Sequence, residues 1–191
     1  IIMVTGYHRE ILMDHVISNF PRLNFTFLIN HHYFETNTAY SLYIAREQLR
    51  SDSQVLMNAD VVYPIGLLLQ IVNSSFENVL AVDVKPCGRE EVKVIEGGGD
   101  KVVDIGKDLI EAQCLGEFIG VAKLSHSFTG MLAKSLKQLI TAGGKNDYFE
   151  AGIQPLLSKV DVHFENVSKF PCLEIDFVED LESAREIFSK N

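Results

Sequence analysis

Short β-prone apolar runs alternate with amphipathic helical stretches through the first half of this 191-residue chain, and that alternation leaves few folds open. Ile1 to Val4, Phe25 to Ile29, Gln54 to Met57 and Val79 to Val84 read as buried strands. Between them, Arg9 to Asn19 carries Ile11, Leu12, Val16 and Ile17 at helical spacing and is closed by Pro21. Thr36-Asn37-Thr38 supplies the cap of a helix expected to reach Leu49, and Pro64 opens another that reaches Asn73. Strands separated by helices predict a parallel sheet joined by right-handed crossovers.

The second half departs from that rhythm. Glu90 to Ile95 and Lys101 to Ile105 flank Glu96-Gly97-Gly98-Gly99-Asp100, which predicts a hairpin with a glycine tip and hence an antiparallel excursion. Glu117 to Leu124 reads as a strand, His126 to Thr141 and Tyr148 to Lys159 as helices, Val160 to Val167 as a strand and Glu179 to Ser189 as a closing amphipathic helix. No repeat or low-complexity run interrupts residues 1–191, so a single domain is expected.

Charge and cysteine content narrow the function classes. Lys and Arg number 17 against 26 Asp and Glu, a formal charge of −9, with no basic run, which argues against nucleic-acid or anionic-membrane binding. The longest apolar stretch, Val61 to Val72, is short for a membrane span. Cys87, Cys114 and Cys172 are far apart in sequence and odd in number, which suggests no disulfide framework and fits a reducing cytoplasm. The histidines, His31-His32 included, form no HExxH or Cys-partnered pattern that would mark a zinc site.

Ligands of open α/β sheets bind beyond the carboxyl ends of the strands. Asp60 emerges just past the buried run Val55-Leu56-Met57, where its side chain either serves a ligand or closes an Asx turn. In Glu174-Ile175-Asp176 two carboxylates bracket one apolar residue, so extended backbone points both to one side. Asp176 or Glu179 could alternatively cap the last helix. A distant Asp combined with a Glu-x-Asp suits Mg²⁺, which takes one or two carboxylates and fills its shell with water and substrate phosphate oxygens.

Several runs, in order, resemble nucleotidyltransferases of the sugar-phosphate and phosphocholine cytidylyltransferase type. They are Ile2-Met3-Val4-Thr5-Gly6-Tyr7, Thr36-Asn37-Thr38-Ala39-Tyr40-Ser41-Leu42, Leu56-Met57-Asn58-Ala59-Asp60, Asp104-Ile105-Gly106-Lys107, Gly116-Glu117-Phe118-Ile119-Gly120, Tyr148-Phe149-Glu150 and Glu174-Ile175-Asp176-Phe177. The resemblance implies a Rossmann-like three-layer α/β/α sandwich with a mixed, mostly parallel sheet. It implies transfer of a nucleotidyl group from a nucleoside triphosphate, with CTP expected, to a small phosphorylated acceptor such as a sugar phosphate, inositol phosphate, phosphocholine or aminophosphonate, releasing pyrophosphate. Carried over by position, Asp60 and Asp176 hold Mg²⁺ and Glu174 supports the metal or the acceptor. Asn37, Ser41 and Asn58 lie on the nucleotide side, whereas Lys107 and Glu117 lie where acceptor contacts are usual. Independently of the resemblance, Tyr63, Phe118, Tyr148 and Phe149 are candidates to pack against an acceptor head group, with core packing the favoured reading for Phe118.

The sequence also departs from that family. Its Gly-rich loop after the first strand, with a following basic residue and Pro-Lys, is not found in residues 1–191, so the first strand and the phosphate loop are expected to be missing. Gly143-Gly144-Lys145 lacks the following Ser or Thr of a P-loop. Two other readings stay open: a non-catalytic module that kept the fold, and a metal-dependent glycosyltransferase. The latter calls for an Asp-x-Asp, and Asn58-Ala59-Asp60 offers one acid.

Overall fold

The computed structural model describes residues 1–189. The chain divides into two compact units: Ile1–Asp52 with Thr129–Leu156, and Ser53–Phe128 with the chain from Leu157 onward. Among the described residues, no helix is long and apolar enough to cross a membrane.

The first unit opens with β1 (Ile2–Thr5), α1 (Arg9–Asn19) and β2 (Thr26–Ile29). The strands pair in parallel, Ile2 opposite Thr26 and Thr5 opposite Ile29. They are followed by α2 (Thr38–Ile44) and the single turn α3 (Arg46–Leu49). One continuous helix to Leu49 was expected; instead it breaks at Ala45. There the Arg46 guanidinium donates to the Tyr43 carbonyl at 3.0 Å, competing for an acceptor that a continuing helix would use.

The second unit carries β3 (Gln54–Met57), β4 (Val61–Val62), α4 (Ile65–Asn73), β5 (Val79–Asp83), β6 (Lys93–Glu96), β7 (Val102–Gly106) and β8 (Gly116–Leu124). The long helix α5 (His126–Thr141) then runs from the second unit's sequence into the first's, which it completes together with α6 (Glu150–Ile153). The helix expected over 148–159 is thus cut to four residues and a 3-10 turn, Gln154–Leu156, because Pro155 has no N–H to continue the ladder. β9 (His163–Asn166), β10 (Leu173–Glu174) and α7 (Val178–Phe188) return to the second unit.

Six strands of that unit form one sheet, in the order β7-β6-β8-β5-β9 with β3 also on β8. β8 is antiparallel to β3, β5 and β6, β7 is antiparallel to β6, and β9 is parallel to β5. Hence β3, β5, β6 and β9 share one direction and β7 and β8 oppose it. This is the mixed sheet expected, and the β6–β7 hairpin is the antiparallel excursion. Because β8 stands between strands of common direction, β5 and β9 are the directly parallel neighbours. β3 and β6 meet the same strand at opposite ends: β3 pairs with Val121–Leu124 and β6 with Gly116 and Glu117.

The core of this unit follows from the periodicities. α4 turns Leu67 and Ile71, both fully buried, onto Val79 and Ala81 of β5, Ile119 and Val121 of β8, and Val167. Truncating such a side chain to alanine costs about 2–5 kcal/mol. Lys123 reaches past the sheet to the C-terminus of α4, its ammonium donating to the carbonyls of Ser74 at 2.6 Å and Val72 at 3.3 Å.

Candidate active site

Two minimal strands build the site. β4 and β10 pair antiparallel, Val61 opposite Glu174 and Val62 opposite Leu173, and the Ile175 N–H donates to the Asp60 carbonyl at 2.8 Å. This short ladder lays Asp60, at the exit of β3, against Glu174-Ile175-Asp176. Among the described residues, no hydrogen bond or ion pair engages the carboxylates of Asp60, Glu174 or Asp176. All three are exposed. Partial burial of its carboxyl raises Glu174 above its ordinary value, and the charges of Asp60, Asp176 and Glu117 raise it further against the opposing Lys107 ammonium.

The capping alternative is resolved by Asp180. Its Oδ2 accepts from the N–H groups of Phe177 at 2.9 Å and Asp176 at 3.1 Å, fastening the start of α7. Asp176 therefore contributes only its backbone to the cap, and its carboxylate is left for other work.

Asn58 sits between β3 and Asp60. Its N–H donates to the Gly120 carbonyl at 2.9 Å, and its side chain lies where a Cβ on Gly120 would be, 2.4 Å from Asn58 Nδ2. Gly120 has φ of 77°, so only glycine meets both demands without strain.

Beside these residues the ends of β5 and β8 bring further charge. Asp83 stands opposite Glu117, two carboxylates on neighbouring strands, and Lys85 bridges them at 3.1 Å and 2.7 Å. Burial alone would lower the Lys85 ammonium, but its hydrogen bonds and charge pairing with Glu117 and Asp83 override that and raise it. Gly116 permits the close approach, since a Cβ there would fall 2.2 Å from the Asp83 carbonyl oxygen. Cys172 is half-buried nearby; burial, with the charges of Asp83 and Glu117 added and Lys85 opposing, pushes its thiol up to about 11.

The second unit thus groups Asp60, Glu174, Asp176, Glu117 and Lys107, all expected from the sequence, with Asp83 and Lys85. Asp83 was hidden inside the strand reading, although an acid at the last position of a buried strand is the same signal that singled out Asp60. Tyr63 and Phe118 belong to the packing here, Phe118 being buried.

Asn37, Ser41 and Tyr148 lie in the first unit. Asn37 caps α2, its side-chain oxygen accepting from the Thr38 N–H at 2.7 Å, and the Ser41 hydroxyl accepts from Asn30 Nδ2 at 3.3 Å. The 37–39 and 145–149 segments are laced together, with Asn37 N–H donating to Lys145 O at 2.9 Å and Phe149 N–H to Thr38 Oγ1 at 3.0 Å. Tyr148, exposed, is carried to the N-terminus of α2 by that lacing.

No protein-family model and no curated protein matches the chain by sequence. Solved structures do match in shape. The CTP:phosphocholine cytidylyltransferase of Streptococcus pneumoniae superposes with a TM-score of 0.75 at 20% identity, covering 98% of this chain and 77% of that one. This chain has the nucleotidyltransferase fold. The inositol-1-phosphate CTP transferase of T. maritima shares that fold at a TM-score of 0.75 and 18% identity, over 99% of this chain and 75% of its own. UDP-glucose pyrophosphorylase does so at 0.73 and 9%, over 100% and 81%. The nucleotidyltransferase fold is the one the sequence motifs implied.

Among the described residues, no group of three or more His, Cys, Asp or Glu side chains is arranged to hold a metal ion. A closed protein cage is thus not what this site offers. Asp60 and Asp176 stand on segments joined by the Ile175–Asp60 hydrogen bond, and among the described residues neither carboxylate has a hydrogen-bond partner, which suits an ion that draws its remaining ligands from water and phosphate.

Proposed function

We propose that this protein is a Mg²⁺-dependent nucleotidyltransferase that moves a nucleotidyl group, from CTP, onto a small phosphorylated acceptor with release of pyrophosphate. The observation that carries the reading is the joining of the Asp60 and Asp176 segments by the Ile175–Asp60 hydrogen bond, with both carboxylates unpartnered among the described residues and both opposing the ionisation of Glu174. The nucleotidyltransferase fold and the named activities of the proteins that share it support the same reading.

Five carboxylates, Asp60, Asp83, Glu117, Glu174 and Asp176, face two ammonium groups, Lys85 and Lys107, in this cluster. Such a surface repels phosphates unless a cation sits among the acids. Asp60 and Asp176 would hold Mg²⁺, which supplies charge neutralisation between the reacting phosphates. The acceptor phosphate is itself the nucleophile toward the α-phosphorus, so the residues' work is placement. Lys107 attracts the acceptor's anionic end, and Glu117, held by Lys85, offers an acceptor for its hydroxyl or ammonium groups. Glu174 orients the acceptor side. Within this unit Asn58 would serve the nucleotide; for Asn37, Ser41 and Tyr148, which belong to the first unit, the nucleotide and acceptor roles rest on the sequence reading alone.

Pyrophosphate release, measured with CTP, Mg²⁺ and a panel of sugar phosphates, inositol phosphate, phosphocholine and aminoethylphosphonate, tests the reading. Release that requires both Mg²⁺ and one acceptor supports it. No release above the protein-free rate with any nucleotide or acceptor contradicts it and favours a non-catalytic module.

A further inference from the structure

Lys93 opens β6 and is 1% exposed. A strand position against Val94 and the sheet would accept an apolar residue there. Instead the ammonium donates to three main-chain carbonyls, those of Lys107 at 2.6 Å, Arg89 at 3.2 Å and Glu91 at 3.3 Å. All three of its donors are used. Among the described residues, no carboxylate lies within ion-pair distance of it. Burying an ammonium without a counter-charge is costly unless hydrogen bonds replace its water, so its neighbours define what it does.

Those carbonyls come from two separate segments. Arg89 and Glu91 lie in the connection from β5 to β6, which is further tied by the Gly88 N–H donating to Glu91 Oε2 at 2.9 Å. Lys107 is the first residue beyond β7, just after Gly106, which pairs with Lys93 itself across the hairpin. Lys93 therefore closes the open end of the β6–β7 hairpin where the backbone ladder stops. On β8, Lys93 pairs with Glu117, the residue held by Lys85.

We infer that Lys93 is a positioning residue for the acceptor side of the site: by pinning the Lys107 carbonyl to the β5–β6 connection, it fixes where the Lys107 side chain leaves the backbone relative to Glu117 and Glu174. Lys93 does not touch substrate; it acts through Lys107. The role in catalysis rests on the proposed nucleotidyl transfer, whereas the pinning of Lys107 does not.

The test compares the full chain with Lys93→Met, which keeps the length and apolar stem and loses the three bonds, and Lys93→Arg, which keeps a buried cation with donors. Amide hydrogen exchange over peptides covering 88–92 and 105–110 reads the pinning directly. Steady-state pyrophosphate release with CTP, Mg²⁺ and phosphocholine as probe acceptor reads its consequence. Lys93→Met should exchange faster in those two segments and not in β5 or the second half of β8. Its KM for acceptor should rise on the order of tenfold while kcat stays within about twofold, and Lys93→Arg should recover part of the KM. Unchanged exchange at 105–110, or an unchanged KM in a variant that merely melts earlier, would overturn the inference. If Lys93→Met fails to melt cooperatively, Lys93→Gln takes its place and the same outcomes decide. If the unsubstituted chain releases no pyrophosphate with any acceptor, the nucleotidyl reading fails, and the exchange pattern by itself decides whether Lys93 pins Lys107.

Discussion

The main-chain N–H of Ile175 donates to the carbonyl oxygen of Asp60 over 2.8 Å, so the backbone, not the carboxylates, holds the 60–62 and 173–176 segments together. The acids should therefore be dispensable for folding. Asp60→Asn and Asp176→Asn are expected to shift the melting temperature by no more than about 2 °C, as surface changes away from structural contacts do. Asp180→Ala, which removes the acceptor of two N–H groups at the start of α7, should cost about 1 kcal/mol. Thermal melts of the three variants check the contrast.

Gly120→Ala tests the support beneath Asp60 from the other side. The new methyl would meet Asn58 at a backbone φ of 77°, so both the contact and the conformation oppose it. A loss of about 1–3 kcal/mol is expected, together with reduced turnover because the 58–60 segment is displaced. Denaturant titration and the pyrophosphate assay measure the two effects separately.

How much of this was legible in the sequence follows from the range over which each feature is decided. Asn37 and Pro64 open their helices, and Val79–Asp83 is a strand buried over most of its length, because caps and apolar runs are local signals. The Glu174-Ile175-Asp176 bracket was readable as extended backbone, but its partner was not: Val61 and Val62 form a strand only because Leu173 and Glu174 lie beside them, and two residues carry no periodicity. The end of α6 was readable in Pro155, which outweighs the helical pattern around it. Lys93 is the plainest miss. With Lys85 and Arg89 at strand spacing before it, Lys93 reads from sequence either as steering an anionic acceptor or as part of a solvated face, and only the hairpin's closure shows three carbonyls around it. Likewise Cys87 and Cys114, far apart in sequence, come near enough for Cys114 to help raise the Cys87 thiol, whose Sγ donates to the Lys85 carbonyl at 3.6 Å.

Lys85→Met should leave Asp83 and Glu117 facing each other across β5 and β8 without their shared cation. Like charges directly opposite are destabilising, and the groups are partly exposed, so a loss of about 1 kcal/mol is expected. Added salt should restore part of it by screening, whereas the parent should show little such gain. Adding Glu117→Gln to Lys85→Met should recover stability at low salt, and denaturant titrations of both variants at two ionic strengths settle the point.

The thiols give a pH dependence with a definite sign. Burial, with Cys114, Glu117 and Glu91 contributing, pushes Cys87 from 9.0 up to about 12, and Cys172 is held at about 11. Above the ordinary thiol value the unfolded chain ionises while the folded chain does not. Stability from this source is thus whole below pH 9.0 and lost as pH climbs toward 11 and 12. Cys87→Ala should flatten that alkaline decline in melting temperature. At about pH 8, Cys87 and Cys172 should also react slowly with a disulfide reagent until the chain is unfolded in guanidinium.

Manganese(II) titration followed by electron paramagnetic resonance, in the presence of a non-hydrolysable CTP analogue, tests most directly whether Asp60 and Asp176 share one ion. Stoichiometric Mn²⁺ uptake by the parent that is lost in both Asp60→Asn and Asp176→Asn, while Mg²⁺ competes for the parent's site, is the predicted result. Uptake that persists unchanged in either variant would contradict the shared site and, with it, the assignment of these carboxylates to phosphate chemistry.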